Sequence, residues 1–222
     1  MQAVILAAGQ GLRLRPFTQN HPKPLINIGG QPLLTHTLNS LPENITEIII
    51  VVGYLGEQII DQIGDQWNSL PIKYVTQANL VGTGDALLQA KPLLKNKFLV
   101  INGDDIYQKS DLEILIQNGY AILAWPSQKP YQYGLQISPD NHLIGFDPNS
   151  SLTNCGVYLL DCGFFEYDLV SVPVHNGVEY SLPHTMVKMA EQEKIKVIQA
   201  SSWLPVGTPE QLEQANQFYK TK

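Results

Sequence analysis

The sequence has few cysteines and no long hydrophobic run. Its two cysteines, Cys155 and Cys162, are separated by six residues, and no histidine stands at a zinc-site spacing from them. This pattern indicates neither a zinc site nor a disulfide framework, so we expect a reducing cytoplasm. No run approaches the roughly 18 apolar residues of a membrane span, and residues 1–14 lack the basic n-region of a signal peptide. We therefore expect neither a signal peptide nor a transmembrane helix, and no membrane partner.

An excess of positive charge is also missing. Lysine and arginine number 14 against 20 aspartates and glutamates, for a formal net charge of −6. This balance argues against nucleic acid as a partner, so an anionic ligand must be held by a local cluster of cations. With 44% hydrophobic and 15% charged residues, the composition is that of a globular protein. A length of 222 residues suits a single domain, 1–222, with or without a small lobe.

Strand and helix patterns alternate in the first part of the chain, 1–125. Apolar runs at 3–8, 47–52, 72–76, 98–101 and 121–125 predict strands. Between them, helical spacing predicts helices at 32–41, 56–63, from 86 to 90, and 111–117. Such alternation is typical of βαβ units, so the fold class predicted is α/β, with a Rossmann-like, mostly parallel, doubly wound sheet.

In the second part, 126–222, the regular alternation of strands and helices gives way to short strands. Short strands at 133–138 and 143–147 flank a turn-rich tripeptide and predict a small inserted β-hairpin lobe. Further strands are predicted at 153–160 and 196–200, with helices at 181–192 and 209–219. No Ser/Gly-rich linker separates the two parts, which favours one domain.

The stretch from Ala3 to Leu25 carries the clearest chemical signal. A buried strand runs into Gly9 and Gly11, and the cations Arg13, Arg15 and Lys23 follow. Glycines let the backbone approach a ligand closely, and the cations indicate that this ligand carries phosphate.

Two more loops follow predicted strands. The loop after the third strand contains Gln77, Gly82 and Thr83, and the one after the fourth contains Asp104 and Asp105. Ligands of open α/β sheets bind beyond the carboxyl ends of the strands, where these loops meet. Together they offer an amide for a base edge and a carboxylate for a divalent cation such as Mg²⁺. The set favours phosphoryl or nucleotidyl transfer, and it contains no nucleophile–base pair.

Eight motifs along the chain can be compared with a known family. They are Leu6-Ala7-Ala8-Gly9-x-Gly11-x-Arg13-x-x-Pro16-x-Thr18, Pro22-Lys23-Pro24-Leu25, Gln77-x-x-x-x-Gly82-Thr83-Gly84-Asp85-Ala86, Asn102-Gly103-Asp104, Tyr133-Gly134, Thr153-Asn154-Cys155-Gly156, Glu179-Tyr180-Ser181-Leu182 and Trp203-Leu204-Pro205-Val206-Gly207-Thr208-Pro209-Glu210. In these motifs the sequence resembles the sugar-1-phosphate nucleotidyltransferases, also called nucleotide-sugar pyrophosphorylases. Within the family it resembles the short single-domain uridylyl- or thymidylyltransferases for N-acetylmuramate or glucose 1-phosphate.

The resemblance implies a reaction and a set of roles. A sugar 1-phosphate and a nucleoside triphosphate, UTP or dTTP, would give a nucleotide sugar and pyrophosphate in the cytoplasm, as a precursor of cell-envelope polysaccharide. Arg13, Lys23 and Asp104 would be catalytic, and Asp104 would also hold Mg²⁺ as cofactor. The implied nucleotide-binding residues are Leu6, Ala8, Gly9, Gly11, Gln77, Gly82 and Thr83, and the sugar-binding residues are Gly134, Asn154 and Glu179.

The chain departs from the family pattern at two places. Pro205 stands where many members carry a second metal-binding aspartate, and Asp105 is a candidate for a compensating carboxylate. Around Asp147 the family often has Glu-Lys-Pro, and that lysine is missing.

Two alternatives stay open. One is a cytidylyltransferase for a small phospho-alcohol such as phosphocholine, favoured by Val52-Gly53-Tyr54 after the second strand. The other is a catalytically silent sensor of nucleotides or nucleotide sugars, favoured by Pro205. The sugar, the choice between UTP and dTTP, and the oligomeric state are left open by the sequence.

Overall fold

The apolar runs of the sequence form the centre of a large sheet. A computed structural model of the chain describes residues 1–127, 133–174 and 177–220, and within these ranges eight strands join in one sheet. The strands are β1 (Gln2–Ala7), β2 (Asn27–Ile28), β3 (Gln31–Pro32), β4 (Glu47–Val52), β5 (Gln66–Trp67), β6 (Leu70–Thr76), β7 (Lys97–Asn102), β8 (Asp105–Tyr107), β9 (Tyr120–Pro126), β10 (Leu135–Ile137), β11 (Leu143–Phe146), β12 (Leu152–Asp161), β13 (Ser171–Val174), β14 (Gly177–Tyr180), β15 (Ile195–Gln199) and β16 (Trp203–Pro205). The α-helices are α1 (Leu33–Asn39), α2 (Gly56–Ile63), α3 (Thr83–Ala90), α4 (Lys109–Leu115), α5 (Leu182–Met189) and α6 (Pro209–Lys220).

The large sheet is mixed but mostly parallel. Its order is β15-β9-β12-β7-β1-β4-β6-β5. Strands β1, β4, β6 and β7 are mutually parallel, as are β9 and β15, whereas β12 runs antiparallel to both β7 and β9. The carboxyl ends of β1, β6 and β7 therefore open at the same edge, and the predicted α/β class is confirmed.

Helices cover both faces of this sheet because its central strands are apolar on both sides. Ile5 of β1 packs in one core with Leu34 of α1 and Ile59 of α2. The preceding residue, Val4, packs on the opposite face with Leu87 of α3 and Met186 of α5. Alternate residues of one strand thus stabilise two separate cores. No helix in the described part of the chain is both long and apolar enough to cross a bilayer.

Within the described residues, four small antiparallel pairs stand outside the large sheet, and the first of them is β2 with β3. Strands β10 and β11 form the inserted hairpin that the sequence predicted. Strands β13 and β14 form a second hairpin, which the sequence did not predict. Strand β16 pairs with β8, so that Pro205 lies opposite Asp105.

Candidate active site

A cleft of about 710 Å³ opens at the carboxyl ends of β1, β6 and β7. It brings together residues that lie far apart in the sequence, as a switch point of an open α/β sheet does. The predicted site residues that line it are Leu6, Ala8, Gly9, Gly11, Arg13, Lys23, Gln77, Gly82, Thr83, Asp104 and Glu179. Gly134 and Asn154 are not among the described residues that line this cleft.

The loop after β1 folds back on itself at Gly11. This residue has φ of +61°, and a Cβ there would lie 3.0 Å from Thr18 Cγ2 and 3.1 Å from Lys23 Cβ. The buried Thr18 hydroxyl donates a hydrogen bond of 2.8 Å to the Gly11 carbonyl. A side chain at position 11 would thus be both strained and crowded, and its absence lets Lys23 approach the end of β1.

Lys23 and Asp104 form an ion pair in the cleft. The ammonium Nζ lies 2.7 Å from Asp104 Oδ2, and the lysine side chain is 7% exposed against 40% for the aspartate. Lys23 begins a short 3₁₀ turn that ends in the buried Leu25, which anchors the lysine against the core. The site thus places a nearly buried cation beside a carboxylate that still faces the cleft.

Arg13 provides a second cation with a different environment. It is exposed and forms no ion pair with any described residue. Its guanidinium lies beside Gly207, where a Cβ would be 3.3 Å from Arg13 Nη2. Gly207 belongs to the segment after β16, so residues near both ends of the chain meet at this wall. Arg13 can therefore pair with an anionic ligand.

The loop before α3 is held by the buried side chain of Gln77. Its Nε2 donates to the Gly82 carbonyl at 3.0 Å and to Asp85 Oδ2 at 2.8 Å. Gly82 has φ of +109°, and its α-carbon lies against the backbone of Tyr180 in β14. Thr83 Oγ1 accepts a hydrogen bond from the Leu182 backbone N–H at 3.1 Å. This loop and the β13–β14 hairpin therefore form one wall.

Asp104 and Asp105 point to different surroundings. Asp105 is buried, and its oxygens accept from Trp203 Nε1 at 3.1 Å and from the Val206 N–H at 2.9 Å. Burial, and then the charge of Asp104, raise the pKa of the Asp105 carboxyl above its ordinary value. Both oxygens of Asp105 are engaged by residues 203–207, the closing segment, so Asp104 is the carboxylate of this pair that faces the cleft.

The two predicted sugar residues outside the cleft lining have local partners. A Cβ at Gly134 would lie 2.4 Å from the Ser150 carbonyl oxygen, so this glycine allows the hairpin lobe to close on itself. Asn154 donates to the Tyr158 hydroxyl at 2.7 Å and accepts from the Gly156 N–H at 2.8 Å. Their role toward a sugar stays a prediction.

The β13–β14 hairpin adds lining residues that sequence reasoning missed. Val172, Val174 and Val178 line the cleft together with Glu179. The alternation in Ser171–Val174 and Gly177–Tyr180 is a period-2 signal, but each run is only four residues long and the first contains Pro173. A hairpin of this size is therefore easily read as a loop.

Of the two adjacent aspartates, Asp104 is the one that can bind a metal ion in the cleft. Among the described residues, no group of three or more histidines, cysteines, aspartates and glutamates is arranged to hold a metal ion. One carboxylate together with phosphate oxygens of a substrate is nevertheless a usual way of binding Mg²⁺. Asp104, 40% exposed toward the cleft, fits that mode.

Comparisons with known proteins agree with this arrangement. A family model described as nucleotidyl transferase matches residues 2–222. The chain is 34% identical over 229 residues to the bifunctional protein GlmU of Methanocaldococcus jannaschii, an alignment that covers 100% of this chain and 55% of GlmU. It is 29% identical over 233 residues to the UTP–glucose-1-phosphate uridylyltransferase AglF of Haloferax volcanii, covering 98% and 96% of the two chains. The chain thus spans about half the length of the GlmU relatives that it matches.

A solved structure supports the fold. A Bacillus anthracis protein described as a putative glucose-1-phosphate thymidylyltransferase, crystallised with sucrose, superposes with a TM-score of 0.87 at 24% identity, covering 100% of this chain and 96% of that one. At this identity the likeness speaks for the architecture alone. The match of the family model over nearly the whole chain, together with the cleft that its loops build, assigns the family: the chain belongs to the nucleotidyl transferases.

Proposed function

We propose that the chain joins a sugar 1-phosphate to a nucleoside triphosphate, UTP or dTTP, and releases pyrophosphate. The observation that carries this proposal is the Lys23–Asp104 ion pair, which lies in one cleft with Arg13 and the Gln77–Gly82 loop. Two cations and an accessible carboxylate suit a triphosphate, and the glycine-containing loop that the Gln77 side chain holds offers backbone groups to a base. The description of the relative AglF as a UTP–glucose-1-phosphate uridylyltransferase agrees with it.

The two parts of the chain would bind different substrates in the cleft. Residues 1–125 would bind the nucleotide, with its base against Leu6, Ala8, Gly9, Gln77 and Gly82. The sugar would lie toward 126–222, where Glu179 lines the cleft and where Gly134 and Asn154 are predicted to contribute. Arg13 would hold the β- and γ-phosphates, and Lys23 would neutralise the two phosphates that react.

The proposed cofactor is Mg²⁺, held by Asp104 and by substrate phosphate oxygens. When bound, the cation would withdraw negative charge from those oxygens. The side chain of Pro205 offers no ligand, and Asp105 is engaged by Trp203 and Val206. A single protein carboxylate would therefore serve, with the triphosphate supplying further oxygens.

The chemical step would be an in-line displacement. An oxygen of the sugar phosphate attacks the α-phosphorus, the bond between the α-phosphorus and the bridging oxygen to the β-phosphate breaks, and pyrophosphate leaves. The attacking phosphate is already largely ionised at neutral pH, since its second pKa is about 6. No general base is required, and the residues act by positioning the reactants and stabilising charge. The nearly buried Lys23 suits this task because water screens it little.

A substrate panel tests the proposal directly. Pyrophosphate release is measured with UTP, dTTP and CTP, each against several sugar 1-phosphates and against phosphocholine. We expect release with a sugar 1-phosphate and with UTP or dTTP. Release only with CTP and phosphocholine would assign a cytidylyltransferase, and nucleotide binding in calorimetry without any release would assign a sensor.

Substitutions in the ion pair test the roles of its two residues. We expect Lys23→Ala and Asp104→Ala each to lower kcat at least ~100-fold while the fold is retained, a loss comparable to removal of one electrostatic stabiliser elsewhere. Lys109→Ala is the matched control, because Lys109 forms an ion pair of 3.1 Å with Glu43 on the surface. Turnover near that of the wild type in either cleft variant would refute the assignment.

A further inference from the structure

The side chain of Asp105, the first residue of β8, connects that strand to the closing segment, residues 203–207. Its Oδ2 accepts from the indole N–H of Trp203 at 3.1 Å, and its Oδ1 accepts from the backbone N–H of Val206 at 2.9 Å. Between these two donors stands Pro205, which has no N–H and lies opposite Asp105 in the β8–β16 pair. The carboxylate therefore holds the segment on both sides of the residue that cannot hydrogen-bond through its own nitrogen.

Asp105 is itself firmly placed. It is 9% exposed, and its carbonyl accepts from Thr37 Oγ1 of α1 at 3.3 Å. It also directly follows Asp104, whose carboxylate pairs with Lys23 in the cleft. A shift of the Asp105 carboxylate would thus be transmitted both to Asp104 and to the closing segment.

The held segment ends at the wall beside Arg13. Gly207 lines the cleft, and a Cβ at this position would lie 3.3 Å from Arg13 Nη2. Its backbone N–H donates to Gln211 Oε1 at 2.8 Å, which fixes the far end of the segment to α6. The wall beside the guanidinium is therefore set at one end by Asp105 and at the other by Gln211.

We propose that Asp105 is a positioning residue that sets the distance between the Lys23–Asp104 pair and Arg13, and so the span offered to the phosphate chain. It does not touch the ligand. It acts through the closing segment on Arg13, and this proposal rests on the proposed function for the role of Arg13. Position 205 of the closing segment is a proline and supplies no carboxylate. The carboxylate of Asp105, on β8, instead holds this segment in place.

The test compares two buried aspartates, one that accepts from the closing segment and one that accepts from the residues just before it. Asp105→Asn keeps the size of the side chain but replaces one acceptor oxygen by a donor, and Trp203→Phe removes a single hydrogen bond. The control is Asp111→Asn, since Asp111 is 3% exposed and accepts from the backbone N–H of Ser201 at 2.8 Å, outside the cleft. All variants are made in the full chain, and their folding is checked by urea unfolding.

We expect Asp105→Asn to lower kcat roughly 10- to 100-fold, because a displacement of about 1 Å near the reacting groups can cost about 100-fold. Trp203→Phe should give a smaller loss, and Asp111→Asn should stay within about twofold of the wild type. The KM for the sugar 1-phosphate should be unchanged in each, since the segment lies at the phosphate wall. If Asp105→Asn does not fold, Trp203→Phe decides: a lower kcat with an unchanged KM for the sugar 1-phosphate supports the proposal, and a wild-type kcat overturns it.

A double substitution separates positioning from a general loss of stability. If Asp105 acts through Arg13, adding Asp105→Asn to Arg13→Met should lower kcat by less than about twofold further, whereas independent effects multiply. Inorganic pyrophosphate alone, titrated by calorimetry, gives a readout without turnover. The affinity for pyrophosphate should fall at least about fivefold in Asp105→Asn and in Arg13→Met, and it should fall no further in the variant that combines the two.

Multiplying losses, or wild-type kcat and pyrophosphate affinity in Asp105→Asn, would overturn the proposal. The two proposals fail in different ways. A wild-type chain without turnover on any substrate pair refutes the proposed function, and the pyrophosphate titrations still decide whether Asp105 acts through Arg13.

Discussion

Replacing Gly82 by alanine should weaken the fold at the wall of the cleft. Gly82 has φ of +109° and ψ of 171°, a region of backbone conformation that is essentially open to glycine alone. An added Cβ would lie 2.4 Å from the carbonyl oxygen of Tyr180 and 2.8 Å from its nitrogen. That nitrogen already donates a hydrogen bond of 2.7 Å to the carbonyl of Val81, so the backbone of Tyr180 has little freedom to move away.

Two costs follow from this geometry. The conformation costs a residue other than glycine about 1–3 kcal/mol. The overlap with fixed backbone adds about 1–3 kcal/mol, as overpacking of a well-packed interior does. We therefore expect Gly82→Ala to lower the free energy of unfolding by about 2–6 kcal/mol, or the Tm by roughly 4–24 °C at about 2–4 °C per kcal/mol.

Urea unfolding followed by circular dichroism measures this loss. Gly119→Ala is the matched control, because Gly119 is exposed, lacks a positive φ and would have nothing within 4 Å of an added Cβ. The control should stay within about 1 kcal/mol of the wild type. A free energy of unfolding for Gly82→Ala within about 0.5 kcal/mol of the wild type would refute the reasoning from its backbone geometry.

Two further predictions concern the site and the response to pH. An added Cβ at Gly9 would meet nothing within 4 Å, so Gly9→Ala should keep its stability within about 1 kcal/mol. If the nucleotide approaches this backbone as proposed, affinity for UTP or dTTP in calorimetry should fall at least about tenfold, and an unchanged affinity would contradict it. Burial lowers the pKa of His36 below its ordinary value of 6.5. The unfolded chain then binds more protons than the folded one below about pH 6.5, so stability should fall as the pH drops from 6.5 toward the folded pKa. Urea midpoints between pH 7.5 and pH 5 should therefore decline more in the wild type than in His36→Gln, and parallel declines would argue against this contribution.

The elements most securely predicted from the sequence are those with a long local pattern. The strand β4 (Glu47–Val52) and the helix α2 (Gly56–Ile63) have the predicted bounds. In β4 a continuous apolar run fits a strand covered on both faces, and in α2 isoleucines recur at helical spacing. Helix α5 (Leu182–Met189) is shorter than the predicted 181–192, since the chain after Met189 continues as turns.

The sequence by itself determined the α/β class, the order of its elements and the residue types available for chemistry at the strand ends. Only the tertiary structure decided which of these residues meet. Lys23 and Asp104 pair across 81 positions, and Asp105 accepts from Trp203 across 98. Local periodicity sets which face of a strand or helix is apolar, but long-range pairing depends on sheet order and on short strands such as β8 and β16. For the same reason, only the folded chain shows that Asp104 faces the cleft whereas its neighbour Asp105 holds the closing segment.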